Sequence, residues 1–385
     1  MLEQAKQRTR NLQARMKDTG IRKAVFTDES SIAYLAGFWG YLGIEFGRPT
    51  MLVVDVEEAP IVITPLMESE MVAEMTWVED VRVWEDMGQR TWGRALAGAL
   101  GEKPSEIWVE KTTIPAIVRN HLDETYPGLP LKDIAPVLGA MRVIKTPFEI
   151  EVMKEAGQIA GAMMGTAHDS LRAGAREFES ALAVIDAGSR RAADFLTDKG
   201  WDRFVSPMIH NLQILQSGKD ASMVHRRASV KQFEKFDPVY FCFCNMAQFK
   251  QYKLGFDRMF HIGDVRDQDR RCQEAAIAAQ QAAIAAIRPG VLAEDVAAAA
   301  NEVYRDRGYE TGYRTGRSIG VAYLEAPELK AGDKTVLQPG MTFAVDGGIS
   351  VDGVTAGRIG DSVVVTETGV DYITQYPREI LLSKD

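Results

Sequence analysis

The chain changes character at Thr146, where short alternating strand and helix patterns give way to a long helical pattern. In the phrase KTPFEIEVMKEA, Thr146 stands at an N-cap position, Pro147 at the first helical position and Glu149 at the third, which is typical of a capped helix start. A chain of 385 residues is also long for a single hydrophobic core. We therefore predict two domains, residues 1–140 and residues 141–385.

The first of these domains carries the signals of an α/β fold. A polar amphipathic helix is predicted over residues 2–18, buried strands over residues 23–27 and 106–110, and a β-hairpin from residues 51–56 and 59–64. Strands alternating with helices favour a sheet covered by helices.

The second domain is richer in alanine, but the alanines keep a helical period and indicate tightly packed helices. The predicted helices cover about 149–172, 176–198, 264–287 and 292–307. The predicted strands cover residues 238–244, 341–345 and 362–365.

Composition limits the class of protein. The net charge is −9 without a stripe of Lys or Arg, which argues against a nucleic-acid partner. No segment reaches the roughly 20 apolar residues of a membrane span, and the first residues are too polar for a signal peptide. Three cysteines make no disulfide framework and favour a reducing cytoplasm. Cys242 and Cys244 alternate on one predicted strand, and we interpret them as small buried hydrophobic residues.

Four phrases, in this order, resemble the "pita-bread" hydrolases, the M24 family that includes methionine aminopeptidase, proline dipeptidase and creatinase. The phrases are RVIKTPFEIEVMKEA (142–156), IRPGV (287–291), VLQPGMTFAVDGGI (336–349) and GDSVVVTETGVDYIT (360–374). The resemblance covers nearly the whole chain. It implies a creatinase-like N-terminal α/β domain followed by a C-terminal pita-bread catalytic domain.

In the peptidase branch of that family, two Asp, one His and two Glu side chains hold two metal ions. The matching positions here are Cys244, Gly255, Arg317, Asp346 and Ile359. Glycine and isoleucine cannot coordinate a metal, and a guanidinium repels one. The resemblance therefore implies the metal-independent creatinase branch, with no metal ligand and no cofactor.

The creatinase branch supplies candidates for catalysis. The phrase SGKDASMVH (217–225) matches the spacing around creatinase's catalytic His, so His225 is expected to be the catalytic base and acid. Asp257 and Asp346 match the two creatinase carboxylates, which would hold a cationic group of the substrate. His210 is a second candidate for the catalytic role.

Further residues are expected to bind substrate. The phrase EFGRPTMLVV (45–54) resembles the creatinase loop whose Phe and Arg hold the substrate carboxylate across a dimer, which nominates Phe46 and Arg48. The other expected substrate-binding residues are Tyr252, Arg317 and Arg358.

The chain also departs from creatinase. Both carboxylates are Asp where creatinase has Glu, and Leu324 and Gly360 stand where creatinase has an Arg and a late His. Ectoine hydrolase, another relative without the full metal set, shows that such a scaffold changes substrate. The sequence leaves a guanidino acid, a cyclic amidine and an N-acyl amino acid open as substrates.

Simpler structural roles remain open for the acidic and basic candidates. Asp257 could pair with the adjacent Arg258, Asp346 could begin a turn, and Arg317 could form a buried pair with Asp346.

Together these features predict a cytoplasmic, homodimeric, metal-independent hydrolase of a non-peptide C–N bond (an amidine, guanidine or amide) in a small carboxylate-bearing metabolite. No nucleic-acid or membrane partner is expected. One alternative is a metal-dependent Xaa-Pro dipeptidase-like peptidase or lyase. A second alternative is a non-catalytic pseudo-peptidase that serves as a binding module.

Overall fold

The computed structural model describes residues 2–40, 42–87, 91–200, 203–209, 214–244, 246–310, 312 and 314–383. The chain divides into two compact units, Met1–Met141 and Arg142–Asp385. Each unit has its own β-sheet.

The N-terminal unit is built on a six-stranded mixed sheet. Its strands are β1 (Lys23–Phe26), β2 (Met51–Asp55), β3 (Ile61–Pro65), β4 (Asp80–Trp84), β5 (Ile107–Val109) and β6 (Leu131–Asp133). They lie in the order β4-β3-β2-β1-β5-β6, and the predicted hairpin is the antiparallel pair of β2 and β3. All of β2 and β3 is buried, which explains their nearly continuous apolar sequence.

Helices cover this sheet, and the predicted first helix spans Leu2–Asp18. The helices are α1 (Leu2–Asp18), α2 (Glu29–Ala36), α3 (Leu42–Phe46), α4 (Ser69–Met75), α5 (Trp92–Leu100), α6 (Ala116–Thr125) and α7 (Ala135–Arg142). The side chain of Asp28 caps α2 by accepting from the backbone N–H of Ser31.

The C-terminal unit begins with the capped helix that the sequence predicts. The Thr146 hydroxyl accepts from the backbone N–H of Glu149, and the Glu149 carboxylate accepts from the backbone N–H of Thr146, which forms a capping box. The helices of this unit are α8 (Pro147–Ser170), α9 (Glu177–Asp198), α10 (Asp267–Ala286) and α11 (Ala293–Asp306). All four correspond to helices predicted from the alanine-rich pattern.

A nine-stranded sheet forms the centre of this unit. Its strands are β7 (Ile214–Ser217), β8 (Pro238–Cys242), β11 (Asp257–His261), β12 (Gly316–Ser318), β13 (Glu325–Leu329), β14 (Thr342–Val351), β15 (Thr355–Val365), β16 (Val370–Tyr372) and β17 (Leu381–Leu382), and the short strands β9 (Gln248–Phe249) and β10 (Tyr252–Lys253) form a separate pair. The main path is β13-β12-β14-β15-β11-β8-β7.

Helix α10 packs tightly on one face of β14 and β15. A Cβ atom added at Gly347 would overlap the carbonyl oxygen of Ala276, and one at Gly357 would overlap the carbonyl oxygen of Cys272. The face of the sheet that α10 covers is called the back face below, and the opposite face is the front face. Because side chains alternate along a strand, this contact fixes which residues lie on the front face.

Within the described residues, no helix combines the length and apolarity that a bilayer crossing requires.

Candidate active site

Three candidate site residues, Cys242, Asp257 and Asp346, lie in one row across the front face of the large sheet. The strand register pairs Cys242 of β8 with Asp257 of β11, Asp257 with Gly360 of β15, and Gly360 with Asp346 of β14. Directly opposite residues in antiparallel strands place their side chains on the same face. The register therefore brings together residues that lie more than 100 positions apart in sequence.

Gly360 allows the two carboxylates of the row to meet. A Cβ atom at Gly360 would fall on Oδ2 of Asp257 and lie 3.0 Å from Oδ1 of Asp346. Oδ1 of Asp346 is buried and has no hydrogen-bond partner among the described residues. The Asp257 side chain is buried, and that of Asp346 is 33% exposed. We call Asp257 and Asp346 the carboxylate pair.

Arg317 fixes the orientation of Asp346. Its Nη1 donates to Oδ2 of Asp346, and its guanidinium stacks 4.4 Å from the ring of Tyr323. Arg317 is buried, and although burial lowers its pKa, the charge of Asp346 holds that pKa above its ordinary value. The buried Arg317–Asp346 pair that the sequence offered as an alternative is present.

Two cysteine sulfurs lie beside the carboxylate pair. The thiol of Cys242 donates to Sγ of Cys244 at 2.7 Å, and Nη2 of Arg317 lies 3.5 Å from the same sulfur. Donor atoms of Cys242, Cys244 and Asp257 all lie within 4.8 Å of one another. These three residues are called the sulfur–carboxylate cluster.

The surroundings shift the pKa values of the three groups in different directions. Burial first, and then the negative charge of Asp346, raise the pKa of Asp257 well above its ordinary value. Burial also raises the pKa of Cys242. The hydrogen bond from Cys242 lowers the pKa of Cys244, and Arg317 lowers it further. Of the three groups, Cys244 is the one whose ionised form the surroundings favour.

Arg258 does not pair with the side chain of Asp257, because adjacent residues of a strand point to opposite faces. Its Nη2 donates to Asp361 at 2.9 Å, and its Nη1 donates to the backbone oxygens of Asp257 and Gly360. Arg378 also donates to the buried Asp361. The sequence-based alternative of an Asp257–Arg258 pair is therefore wrong.

His225 lies outside this row. It is exposed in the loop after a short 3₁₀ turn, and no hydrogen bond or ion pair joins it to the described residues. The loop is held by neighbours of His225, since Arg226 donates to the buried carboxylate of Glu177 at 3.0 Å. The structure does not bring His225 into contact with either carboxylate. His210 lies outside the described residues.

The remaining substrate-binding candidates are dispersed. Arg358 lies on the front face, donates to Ser350 at 2.6 Å and stacks 5.4 Å from the ring of Tyr240. Tyr252 is instead buried and donates to Glu149 at the start of α8, at 3.0 Å.

In the N-terminal unit, Phe46 is 64% exposed. Arg48 donates to Asp86 and to Sδ of Met67. A role for Phe46 and Arg48 in a neighbouring subunit stays a prediction.

The sequence indicated Cys242 and Cys244 only as small buried hydrophobic residues, whereas the structure brings both sulfurs close to Asp257. Their alternation correctly indicated that both side chains point the same way. What the sequence did not show is that the register sets Asp257 opposite Cys242 and that Arg317 reaches the sulfur of Cys244. The available signal was a pair of cysteines two residues apart, one of which, Cys244, stands at a lost ligand position.

Residues 151–367 match the family described as Metallopeptidase family M24, and residues 8–144 match the Creatinase/Prolidase N-terminal domain. The agropine synthesis cyclase of Rhizobium rhizogenes is 28% identical over 96% of this chain and 95% of its own length. The Xaa-Pro dipeptidase of Pyrococcus furiosus is 26% identical over 86% of this chain and 88% of its own length. The structure of dipeptidase PepE from Mycobacterium ulcerans superposes with a TM-score of 0.82 at 26% identity, covering 99% of this chain and 98% of that protein.

These comparisons confirm the predicted fold class: an N-terminal creatinase-like α/β domain and a C-terminal pita-bread domain. They contradict the predicted function. The predicted metal-independent, creatinase-like hydrolase of non-peptide C–N bonds is wrong, because several relatives that cover most of the chain are dipeptidases and the matched family is a metallopeptidase family. The reason is physical: lost ligand positions do not by themselves exclude a metal that other donors hold.

The family implies a divalent metal. The five positions matched by resemblance do not fit one as a complete set: a Cβ at Gly255 would lie 2.9 Å from Nη2 of Arg317, so a guanidinium stands beside that position. Ile359 alternates with Gly360 and faces the back of the sheet. The sulfur–carboxylate cluster, which includes Cys244 from that set, does fit, because it offers three donor atoms within 4.8 Å of one another.

Proposed function

We propose, from the premise that the chain belongs to metallopeptidase family M24, that it is a hydrolase that cleaves the peptide bond of a small, dipeptide-like substrate. The names of relatives that span the chain support this bond type. The observation that carries the proposal is the meeting of Asp257 and Asp346 over Gly360, on the front face of the catalytic sheet.

Asp346 is the residue best placed to take a proton from an attacking water. Arg317 occupies one of its oxygens, and the other oxygen is left without a hydrogen-bond partner among the described residues. A carboxylate whose orientation is fixed in this way loses little further freedom when it acts as a general base. Arg317 therefore acts on the reaction as a positioning residue, through Asp346.

A divalent ion, when bound, would activate water and polarise the scissile carbonyl, and the residues that would hold it are Asp257 of the carboxylate pair and its neighbours Cys242 and Cys244. The chain's own contribution is to hold Asp346 at the edge of these donors, within reach of a water on the front face.

Arg358 is suited to bind the free carboxylate of a dipeptide. It lies on the same face as the carboxylate pair, and it is only half-buried, so a ligand can reach its guanidinium. A guanidinium binds a carboxylate through two parallel hydrogen bonds, which would orient the peptide relative to Asp346. The hydrogen bond from Arg358 to Ser350 limits the freedom of the side chain before substrate binds.

A second candidate function is ring closure, which is favoured by the cyclase relative that matches 96% of the chain. A hydroxyl or amine of the substrate would then replace water as the nucleophile. A new C–O or C–N bond would form at a carboxyl-level carbon, while the bond from that carbon to the displaced group, water or an amine, would break. The two functions use the same proton acceptor and differ in product, so mass analysis of the product separates them.

The proposal is tested with the purified full-length chain, a panel of Xaa-Pro and other dipeptides, and added zinc or manganese. We expect release of free amino acids, and we expect Asp346→Asn to lower kcat by roughly 10²–10⁴-fold, the range typical of a lost general base. Asp352→Asn, on the exposed turn after β14, is the matched control and should keep wild-type kcat.

His225→Ala in the same assay separates this mechanism from one based on imidazole. Activity close to wild type is expected, because His225 is exposed and does not touch the carboxylate pair. The proposed function fails if no dipeptide is cleaved with either metal. The assigned role of Asp346 fails if His225→Ala abolishes cleavage while Asp346→Asn does not.

A further inference from the structure

We propose that Cys242, Cys244 and Asp257 form a binding site for a thiophilic divalent cation such as zinc. This site differs from the oxygen-and-imidazole set that the resemblance to metal-dependent peptidases led us to look for. This proposal deepens the proposed function, because the cluster shares Asp257 with the carboxylate pair. It rests on the proposed function only where it gives the metal a part in catalysis.

The geometry of the donor atoms fits a metal site. Two sulfurs from the end of β8 and the turn after it converge with one carboxylate oxygen from β11, and all three atoms lie within 4.8 Å of one another. Cys242 and Asp257 face each other in the register of β8 and β11. Cys244 lies just beyond the end of β8, and its Sγ lies 2.7 Å from Sγ of Cys242. Three protein donors with room for water are the usual arrangement of a catalytic zinc site.

The charge around the donors also favours a cation. Four acidic side chains lie on the front face, namely Cys242, Cys244, Asp257 and Asp346, and two guanidinium groups lie beside them, namely Arg317 and Arg358. A divalent ion would add positive charge where the acidic side chains outnumber the guanidinium groups. Arg258 does not supply this charge to the front face, because it is bound to Asp361 behind the sheet.

Arg317, which neighbours the donors, also favours a metal at this site. Nη2 of Arg317 lies 3.5 Å from Sγ of Cys244 and can donate to a thiolate there, while its Nη1 remains on Asp346. Hydrogen bonds from such outer residues orient metal ligands and tune their basicity. The positive charge of Arg317 is matched by Asp346, so that it does not exclude a cation from the cluster.

The donor chemistry predicts which ions the site accepts. Thiolates favour zinc and cadmium, whereas magnesium and manganese favour sites made of carboxylates, carbonyls and water. The site should therefore bind zinc or cadmium far more tightly than magnesium. If Cys242 and Cys244 remain a hydrogen-bonded thiol pair when zinc or cadmium is added, the proposal is wrong.

The test titrates cadmium into the full-length protein after reduction and removal of metal with a chelator. Binding to thiolates gives a sulfur-to-cadmium charge-transfer absorption in the ultraviolet, and we expect it to saturate at one ion per chain. Cys242→Ser and Cys244→Ser should each lose most of this absorption. Cys272→Ser is the matched control, because Cys272 is a buried free cysteine on α10, behind the sheet, and the absorption should be unchanged.

Folding is followed in the same variants. Each variant is melted without metal, and only those that melt cooperatively near the wild-type midpoint are compared. Zinc should raise the melting midpoint of the wild type and of Cys272→Ser, since a ligand that binds only the folded state stabilises it. The same zinc concentration should not raise the midpoint of Asp257→Asn, and magnesium should raise none.

The site is refuted if cadmium gives no charge-transfer absorption in the wild type, or if Cys272→Ser alone removes it. It is also refuted if magnesium raises the midpoint as much as zinc. Failure of the proposed function gives a different result, because a chain that cleaves no dipeptide would still show the Cys242- and Cys244-dependent absorption.

Discussion

Gly360 lies between Asp257 and Asp346 in the row across the sheet, and it contributes no side chain to that row. A larger residue would occupy the space in which the two carboxylates approach each other. In the resemblance to creatinase, Gly360 stands where creatinase has a His. In the structure, the absence of a side chain at Gly360 leaves the room that the two carboxylates occupy.

Gly360→Ala should therefore damage the site more than the fold. The new methyl group would overlap Oδ2 of Asp257 and displace this carboxylate, and a misplacement of about 1 Å can lower the rate by about 10²-fold. We expect a drop of that order in kcat and weaker cadmium binding, with a loss of about 1–3 kcal/mol in the free energy of unfolding. Kinetics, cadmium titration and urea unfolding measure the three effects.

Gly369→Ala is the control for this change, because a Cβ there meets no atom within 4 Å. That variant should match the wild type in all three measurements. Full activity in Gly360→Ala would show that catalysis does not depend on the close approach of Asp257 to Asp346.

At the scale of single residues, sequence identified Asp257, Asp346 and Arg317 as site candidates but did not determine their partners. Arg317 could serve a substrate or pair with Asp346, and only the structure shows the pair. The importance of Cys244 depends on the guanidinium that reaches its sulfur from β12, a contact between residues 73 positions apart. Local sequence carries no signal for such a contact.

The packing of α10 on β14 and β15 determines which face of the sheet carries the site. The helix approaches so closely that Gly347 and Gly357 leave no room for a side chain beneath it. Its Gln280 also donates to the backbone oxygen of Val345 at 3.2 Å and to Asp361 at 3.0 Å. These contacts close the back face and leave the front face to the site.

Gly347→Ala should destabilise the protein by about 1–3 kcal/mol or more, because its Cβ would overlap the backbone oxygen of Ala276, which cannot rotate away. Gly165→Ala, in the interior of α8, should have the opposite effect. No atom lies within 4 Å of its added Cβ, and alanine in a helix is favoured over glycine by about 0.5–1 kcal/mol. Urea unfolding of both variants measures this difference, and equal stabilities would contradict the tight contact of α10 with the sheet.

Helices were easier to predict than strands for a local reason. The start of α8 is specified by Thr146, Pro147 and Glu149 alone, and the structure has the capping box there. By contrast, β14 and β15 span 10 and 11 residues, about twice or more the predicted lengths. Their extensions include glycines and charged residues whose strand conformation comes from pairing with each other, so the pattern of apolar residues did not include them.

For the whole molecule, stability against acid depends on buried groups that must stay neutral. His261, at the end of β11, is fully buried, and neither of its ring nitrogens has a hydrogen-bond partner among the described residues. Burial first, and then the positive charge of Arg270, lower the pKa of His261 from 6.5 to about 4. The folded protein therefore resists a proton that the unfolded chain accepts.

Acid should accordingly weaken the fold through His261. Above pH 6.5 this residue is neutral in both states and does not affect stability; as the pH falls towards 4, only the unfolded chain gains the proton, and the free energy of unfolding decreases. The full effect is roughly 3 kcal/mol below pH 4, and about 2 kcal/mol is reached at pH 5.

His261→Leu should remove this loss, so urea unfolding at pH 7 and pH 5 should show a smaller decrease in the variant than in the wild type. His225→Ala, at an exposed loop position, should keep the wild-type decrease. Equal decreases in His261→Leu and the wild type would show that His261 is not the group through which acid acts.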